Sequence, residues 1–210
     1  MAPSEHRTQP ERRAETERRV LEAAVRLIAE RGSRSVSIAD IGHAAGYSRG
    51  IVTHQFGTKE DLLRAIVDHA QRVFAIASET GGLEELLEFV GQYLRRLHEA
   101  APVGQAFLLL WAEAAAGEPV LKPLFVERDR SFRKVVAAHI RRGIAEGSIR
   151  ADVDANGTAT VILAVLRGVG LHSMLDPRAV SHRAVSAAAL DTIRHALQGH
   201  DRHAIEYAHR

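Results

Sequence analysis

The sequence predicts an all-α fold of about nine helices, and three observations carry that prediction. Apolar residues recur at three- and four-residue spacings through most of the 210 residues, and no segment shows the two-residue alternation of a half-buried strand. Aromatic residues make up only 5% of a chain that is 46% apolar and rich in alanine and leucine. That mixture suits packed helices and suffices for a real core. Gly32, Gly57, Gly147 and Pro177 fall where periodic stretches end, as helix stops do.

The first dozen residues are charged and have no apolar core, so residues 1–12 are expected to form a disordered arm and not a signal peptide. A first helix, from about Arg13 to Arg31, sets Val20, Ala23, Ala24, Leu27 and Ile28 on one side and stops at Gly32. Ser37 and Asp40 then make a capping box for a short second helix, with Ile38 and Ile41 as its apolar face. Gly46 supplies a tight bend, because glycine enters the left-handed region without steric cost. Ser48 caps a third helix whose Ile51, Val52 and Phe56 should face inward, leaving Arg49, Gly50, Thr53 and His54 outward. Gly57 ends it, and Thr58 with Asp61 repeats the capping box for a fourth helix reading to about Ser78. Two short helices joined at a glycine turn, the second with a small, polar and basic outer face, describe a helix-turn-helix shaped for a major groove.

Gly81 and Gly82 interrupt the pattern, and Leu83, Leu86, Leu87, Val90, Leu94 and Leu97 define a fifth helix closing before Pro102. A sixth, about 103–116, is apolar on nearly all sides around Phe107–Trp111 and should be interior. A seventh starts near Pro119 and runs to the stop glycine Gly147. The eighth opens at Asp154 and reaches Leu175, and the ninth covers about Val180 to Gln198. The tail, 199–210, is charged and has no core signal.

The segment from Ser37 to Leu63 resembles the DNA-binding end of TetR-family transcriptional regulators. The matching positions are Ser37, Asp40-Ile41, Ala45-Gly46, Tyr47-Ser48, Val52 to Phe56, Thr58-Lys59 and Asp61-Leu62-Leu63. The resemblance covers about the first third of the chain with specific motifs, and the rest by helix count and length. Three positions depart from it: Thr53 stands where a DNA-facing tyrosine is usual, Gln55 where a histidine is frequent, and Gly42 where alanine is usual. The resemblance implies a helix-turn-helix domain over residues 13–58. It also implies a helical ligand-binding and dimerisation domain over 59–198, with the fourth helix as connector.

Charge agrees with a sequence reader. Formal net charge is only +2, yet Arg31, Arg34, Arg49 and Lys59 face a single acid, Asp40, between positions 31 and 59. Arg49 is the best base reader, since a guanidinium bonds both major-groove acceptors of guanine. Gly50 permits close backbone approach, and Thr53 suits a thymine methyl or a base edge. Ser37, Tyr47, Ser48, His54, Gln55 and Lys59 read as phosphate or groove-wall contacts, Tyr47 equally as a packing residue of the turn. Arg7, Arg12, Arg13, Arg18 and Arg19 alternate with Glu11, Glu15 and Glu17, which reads as a solvated helix face or a DNA-binding arm.

For the larger domain, Tyr93, Phe107, Trp111 and Phe125 are candidate apolar lining for a small-molecule effector, with Glu113, Arg167 and His172 as polar fixtures; ordinary core is the alternative. Small residues on the last two helices suit close helix packing, either within the chain or, as the family resemblance implies, in a homodimer built as a two-fold four-helix bundle with Ala164, Gly168, Leu171, Ala189 and Ile193 at the interface. The twelve histidines show no metal-ligand spacing, and no nucleophile elbow, phosphate loop or carboxylate pair argues for catalysis. No cofactor is expected. The most apolar window, Thr158 to Leu175, carries Arg167 and His172 and fits protein packing better than lipid.

The expected protein is a soluble cytoplasmic regulator, a homodimeric repressor released from palindromic double-stranded operator DNA by a small apolar or amphipathic ligand. The alternatives are an activator or ligand-independent dimeric regulator and, from another class, an all-α enzyme or carrier with a vestigial helix-turn-helix.

Overall fold

The computed structural model describes residues 8–75, 81–178 and 181–198. Among them the chain forms nine α-helices, one 3-10 turn and no strand. The helices are α1 (Gln9–Arg31), α2 (Ile38–Ala45), α3 (Arg49–Phe56), α4 (Lys59–Phe74), α5 (Leu83–Glu99), α6 (Ala101–Ala115), α7 (Leu121–Glu146), α8 (Ala155–Leu175) and α9 (His182–Leu197). The 3-10 turn, Ser33–Ser35, lies between α1 and α2 and has no counterpart in the sequence reading.

One boundary is corrected. Residues 9–12, expected in a disordered arm, are the first turn of α1, because Thr8 and Glu11 form a reciprocal capping box and Pro10 occupies the first turn. The expected continuation of α4 to Ser78 falls partly on 76–80, and Arg7 and the tail 199–210 also lie outside the described residues.

The chain divides into two compact units. The first comprises residues up to Val73 together with Ala100–Phe125; the second comprises Phe74–Glu99 and the residues from Val126 onward. In the first, α1 packs against α2 and α6, and α2 against α3. Val20, Ala24, Ile28, Ile41, Val52, Leu108 and Leu110 are among its residues with almost no exposure. Each large aliphatic side chain buried this way contributes about 1.5–3 kcal/mol.

In the second unit α5 packs against α8 and α9, and α8 against α9. Of the small residues on α9, Ala189 is buried in this packing, whereas Ala184, Ala187 and Ala188 are exposed. Ala189 and Ile193, expected at a subunit interface, are 8% and 6% exposed within one protomer and belong to its own core. A run of aromatic contacts crosses the unit: Phe74 to Tyr93 at 5.9 Å, Tyr93 to Phe132 at 5.3 Å, and Phe132 to Phe89 at 5.5 Å. Helix α8 is long and apolar enough to cross a membrane by composition. Its inward face, Ala159, Ile162, Leu163, Leu166 and Arg167, is buried in the unit.

His139 on α7 is fully buried, its ring 5.7 Å from that of Phe89. Nδ1 lies 3.2 Å from both the nitrogen and the oxygen of Gly81, and Nε2 has no partner among the described residues. Burial pushes the imidazole below its ordinary value, against smaller upward pulls from the Gly81 backbone and Glu85. Stability from such a group is complete above the unfolded value of about 6.5 and lost as pH falls from there through the folded value. Urea titrations should therefore show stability falling on acidification below about pH 6.5, and His139→Leu should flatten that slope. His69 and His182, lowered first by burial as well, should retain part of it.

Candidate nucleic-acid interface

The reader is built from caps and one close approach. Ser37 opens α2, accepting from the Asp40 amide at 3.2 Å while its own amide and hydroxyl donate to Asp40 Oδ2 at 2.9 and 2.6 Å. These bonds, the side-chain one foremost, hold the Asp40 carboxyl below its ordinary value. Gly46 ends α2 in the left-handed conformation, φ 78° and ψ 29°. Ser48 caps α3 by accepting from the Ile51 amide at 3.3 Å. Gly42 has a physical reason of its own. A methyl group there would lie 2.9 Å from the Tyr47 carbonyl oxygen and 3.3 Å from Val52 Cγ2, so α2 and the turn approach too closely for alanine.

Helix α3 buries only Val52. Arg49, Gly50, Thr53 and His54 are exposed as expected, and Gln55 is half-buried. Ile51, expected inward, is 44% exposed. It lies in a cleft of about 990 Å³ between α3 and the first turns of α1, so it belongs to the outer surface.

Two clefts therefore flank α3. The first brings Ser48, Gly50, His54 and Gln55 beside Arg12, Arg13 and Thr16. The second, about 420 Å³, gathers Arg34, Ser37, Arg49 and Lys59 around the ionised Asp40. Three cations against one carboxylate give this second cleft the same formal charge, +2, as Arg12 and Arg13 give the first. Arg34 belongs to no motif, and its only signal in the sequence is the local excess of basic residues.

The early arginines divide by position. Arg18 is a solvated helix-face residue, paired with Glu15 at 2.8 Å and Glu22 at 2.7 Å. Arg19 lies over the Tyr47 ring at 5.2 Å, and the Tyr47 hydroxyl is 3.4 Å from Thr16 Oγ1. Tyr47 thus pins the turn to α1 and is half-buried. Arg12 and Arg13 face the α3 cleft. Lys59, read as a phosphate contact, donates from Nζ to the Ser33 carbonyl at 2.7 Å and is half-buried.

The candidate effector residues separate into the two units. In the first, Phe107 packs on Phe125 with centroids 5.2 Å apart, and Trp111 is half-buried. Glu113, expected as a polar fixture for a ligand, instead accepts from the Ser33 amide at 2.9 Å and from the Ser33 hydroxyl. In the second unit, Arg167 is 5% exposed and donates to Tyr93 Oη and to Asp129 at 3.0 Å. Burial opposes its charge, but Tyr93 and Asp129 outweigh that and hold the guanidinium above its ordinary value. His172 is exposed, on the outward side of α8 with Val161, Ala164 and Leu175, because Arg167 takes the inward side. No group of three or more metal-ligating side chains occurs among the described residues.

Residues 20–66 match the family model described as bacterial regulatory proteins, tetR family. Residues 82–198 match the model of the BetI-type transcriptional repressor, C-terminal. The transcriptional repressor Rv3405c of Mycobacterium tuberculosis is 35% identical over 107 residues, 49% of this chain and 57% of that one. The match thus spans little more than half of that relative. A transcriptional regulator from Saccharomonospora viridis, solved in complex with choline, has a TM-score of 0.71 at 26% identity, over 89% of this chain and 100% of that one. The SmeT–triclosan complex, SmeT being from Stenotrophomonas maltophilia, has a TM-score of 0.73 at 23% identity, over 89% and 93%, and shares the fold.

Proposed function

Since this chain belongs to the TetR family of bacterial transcriptional regulators, which are DNA-binding proteins and not enzymes, we propose that it is a cytoplasmic homodimeric repressor released from a palindromic operator by a small ligand. The observation that carries the reading is the exposed face of α3, set between two clefts that bear Arg12 and Arg13 on one side and Arg34, Arg49 and Lys59 on the other. A helix so placed enters the major groove while the flanking cations meet phosphates. Arg49 and Thr53 read bases; Ser37, Ser48, His54 and Gln55 set register.

Dimerisation is proposed on the outward side of α8. Val161 at 62% exposure, Ala164, Gly168, Leu171 and Leu175 at 81% follow one another at helical spacing. A Cβ at Gly168 would meet nothing within 4 Å in the protomer. Gly168→Leu should therefore fold as well as the parent yet hinder close approach of a second copy. Light scattering on the variant should show a shift toward monomer. A monomeric parent at micromolar concentration would refute the bundle.

The effector in this reading is a small apolar or amphipathic molecule, as triclosan is in the SmeT complex; choline, bound by the other structural relative, is a small hydrophilic cation. It acts by binding more tightly to a conformation whose two readers no longer match the operator. Coupling of about 1–3 kcal/mol would weaken DNA binding roughly 5- to 150-fold, and operator DNA must weaken effector binding by the same factor. Trp111 is the only tryptophan, so its emission would report an effector bound beside α6. Choline, triclosan and a panel of amphiphiles should be titrated against its emission with and without operator. A panel in which every bound compound ignored the operator would favour a constitutive dimeric regulator.

A further inference from the structure

Ser33 is one of three buried polar residues in the described chain, at 3% exposure. Its polar groups are engaged by side chains distant in sequence. Its amide donates to Glu113 Oε1 at 2.9 Å, and its hydroxyl donates to Glu113 Oε2. Its carbonyl accepts from Lys59 Nζ at 2.7 Å. Glu113 sits near the C-terminal end of α6, 80 residues away in sequence. The carboxylate also lies against the backbone of Gly32, where a Cβ would come within 3.3 Å of Oε1.

Ser33 therefore grips both ends of the helix-turn-helix. It stands four residues before Ser37, the cap of α2, and Lys59 opens α4 just after α3 and Gly57. Lys59 also lines the basic cleft with Arg34 and Arg49. Nothing in the local chain replaces the Glu113 bonds, since no side chain caps the 3-10 turn within its own segment.

We propose that Glu113 is a positioning residue for DNA reading: through its two bonds to Ser33, α6 sets the placement of α2, α3 and Lys59. A displacement of α6 against α1 breaks both bonds together and loosens the reader at its entry and, through Lys59, at its exit. Glu113 touches no DNA; it acts through Ser33.

The test exploits a difference in sign. Removing a carboxylate from a DNA-binding module strengthens attraction to phosphate, so charge alone predicts tighter binding by Glu113→Ala to every sequence. Positioning predicts the reverse on operator. Hydrogen bonds to a charged group contribute about 1.5–3 kcal/mol, so operator affinity should fall roughly 10- to 150-fold while random-sequence DNA is bound as well as before or better. Glu113→Gln keeps an acceptor for the Ser33 amide and should recover part of the loss. Ser33→Ala, which removes only the hydroxyl, should weaken operator binding on its own. In Glu113→Ala it should add less than it costs alone.

Binding would be measured by fluorescence anisotropy on full-length protein, with circular dichroism confirming native helix content. Amide exchange by NMR gives a readout without DNA, in which the Ser33 amide should lose protection in Glu113→Ala and keep it in Ser33→Ala. If Glu113→Ala fails to fold, Glu113→Gln and Ser33→Ala carry the test. Unchanged or tighter operator binding by the folded variants would overturn the proposal, as would equal losses on operator and random DNA.

Discussion

Arg167→Met is expected to destabilise the protein by about 3–5 kcal/mol, the range for removing one partner of a buried ion pair. The guanidinium is 5% exposed and bonds both Tyr93 and Asp129, whose side chain is only 16% exposed. Methionine fills much of the space, so the loss is electrostatic and not a cavity effect. It takes a cation away from a carboxylate that water reaches poorly. The double variant Arg167→Met with Asp129→Leu should regain most of the stability, because a well-packed apolar pair commonly equals a buried ionic one. Urea denaturation of the three proteins measures this. A single variant within about 0.5 kcal/mol of the parent, the ordinary scale of surface substitutions, would mean that the pair is solvated.

Arg49→Ala should abolish most operator selectivity. A bidentate contact to guanine is worth about 1–3 kcal/mol of discrimination, and a symmetric operator uses it twice, so about 2–6 kcal/mol is at stake. Arg49 is exposed at the first turn of α3, in the cleft that holds Arg34 and Lys59. The remaining cations should preserve much of the salt-dependent attraction to random DNA. Competition binding against random duplex separates the two terms. Equal losses on both DNAs would make Arg49 a phosphate contact.

The parts legible in sequence are those whose physics is local. Ser37 with Asp40, Gly46 and Ser48 announce caps and a turn within three or four residues, and α2 and α3 follow from them. Thr8, Pro10 and Glu11 carry the same kind of signal, and the charged character of the segment masked it. Long-range partners leave no such trace. A glutamate on an apolar helix reads alike whether it meets a ligand or Ser33, and Lys59 reads alike whether it meets a phosphate or a carbonyl. Periodicity also fails to say which apolar surface covers a residue. Ala189 and Ile193 have the pattern of an interface and lie in the protomer core, while Val161 and Leu175 remain exposed. Ile51 differs in the same way: an isoleucine at inward spacing lies on the α3 surface, and only Val52 of that helix is buried.

The central claim, that two copies of α3 read one palindromic site, is tested most directly by footprinting purified protein on the intergenic DNA upstream of its own gene. The account predicts one protected pseudo-palindrome with half-sites about 34–36 Å apart or a multiple of that, occupied by an even number of protomers and lost in Arg49→Ala. Protection no stronger than on random duplex, or a single asymmetric half-site bound by one protomer, would contradict it.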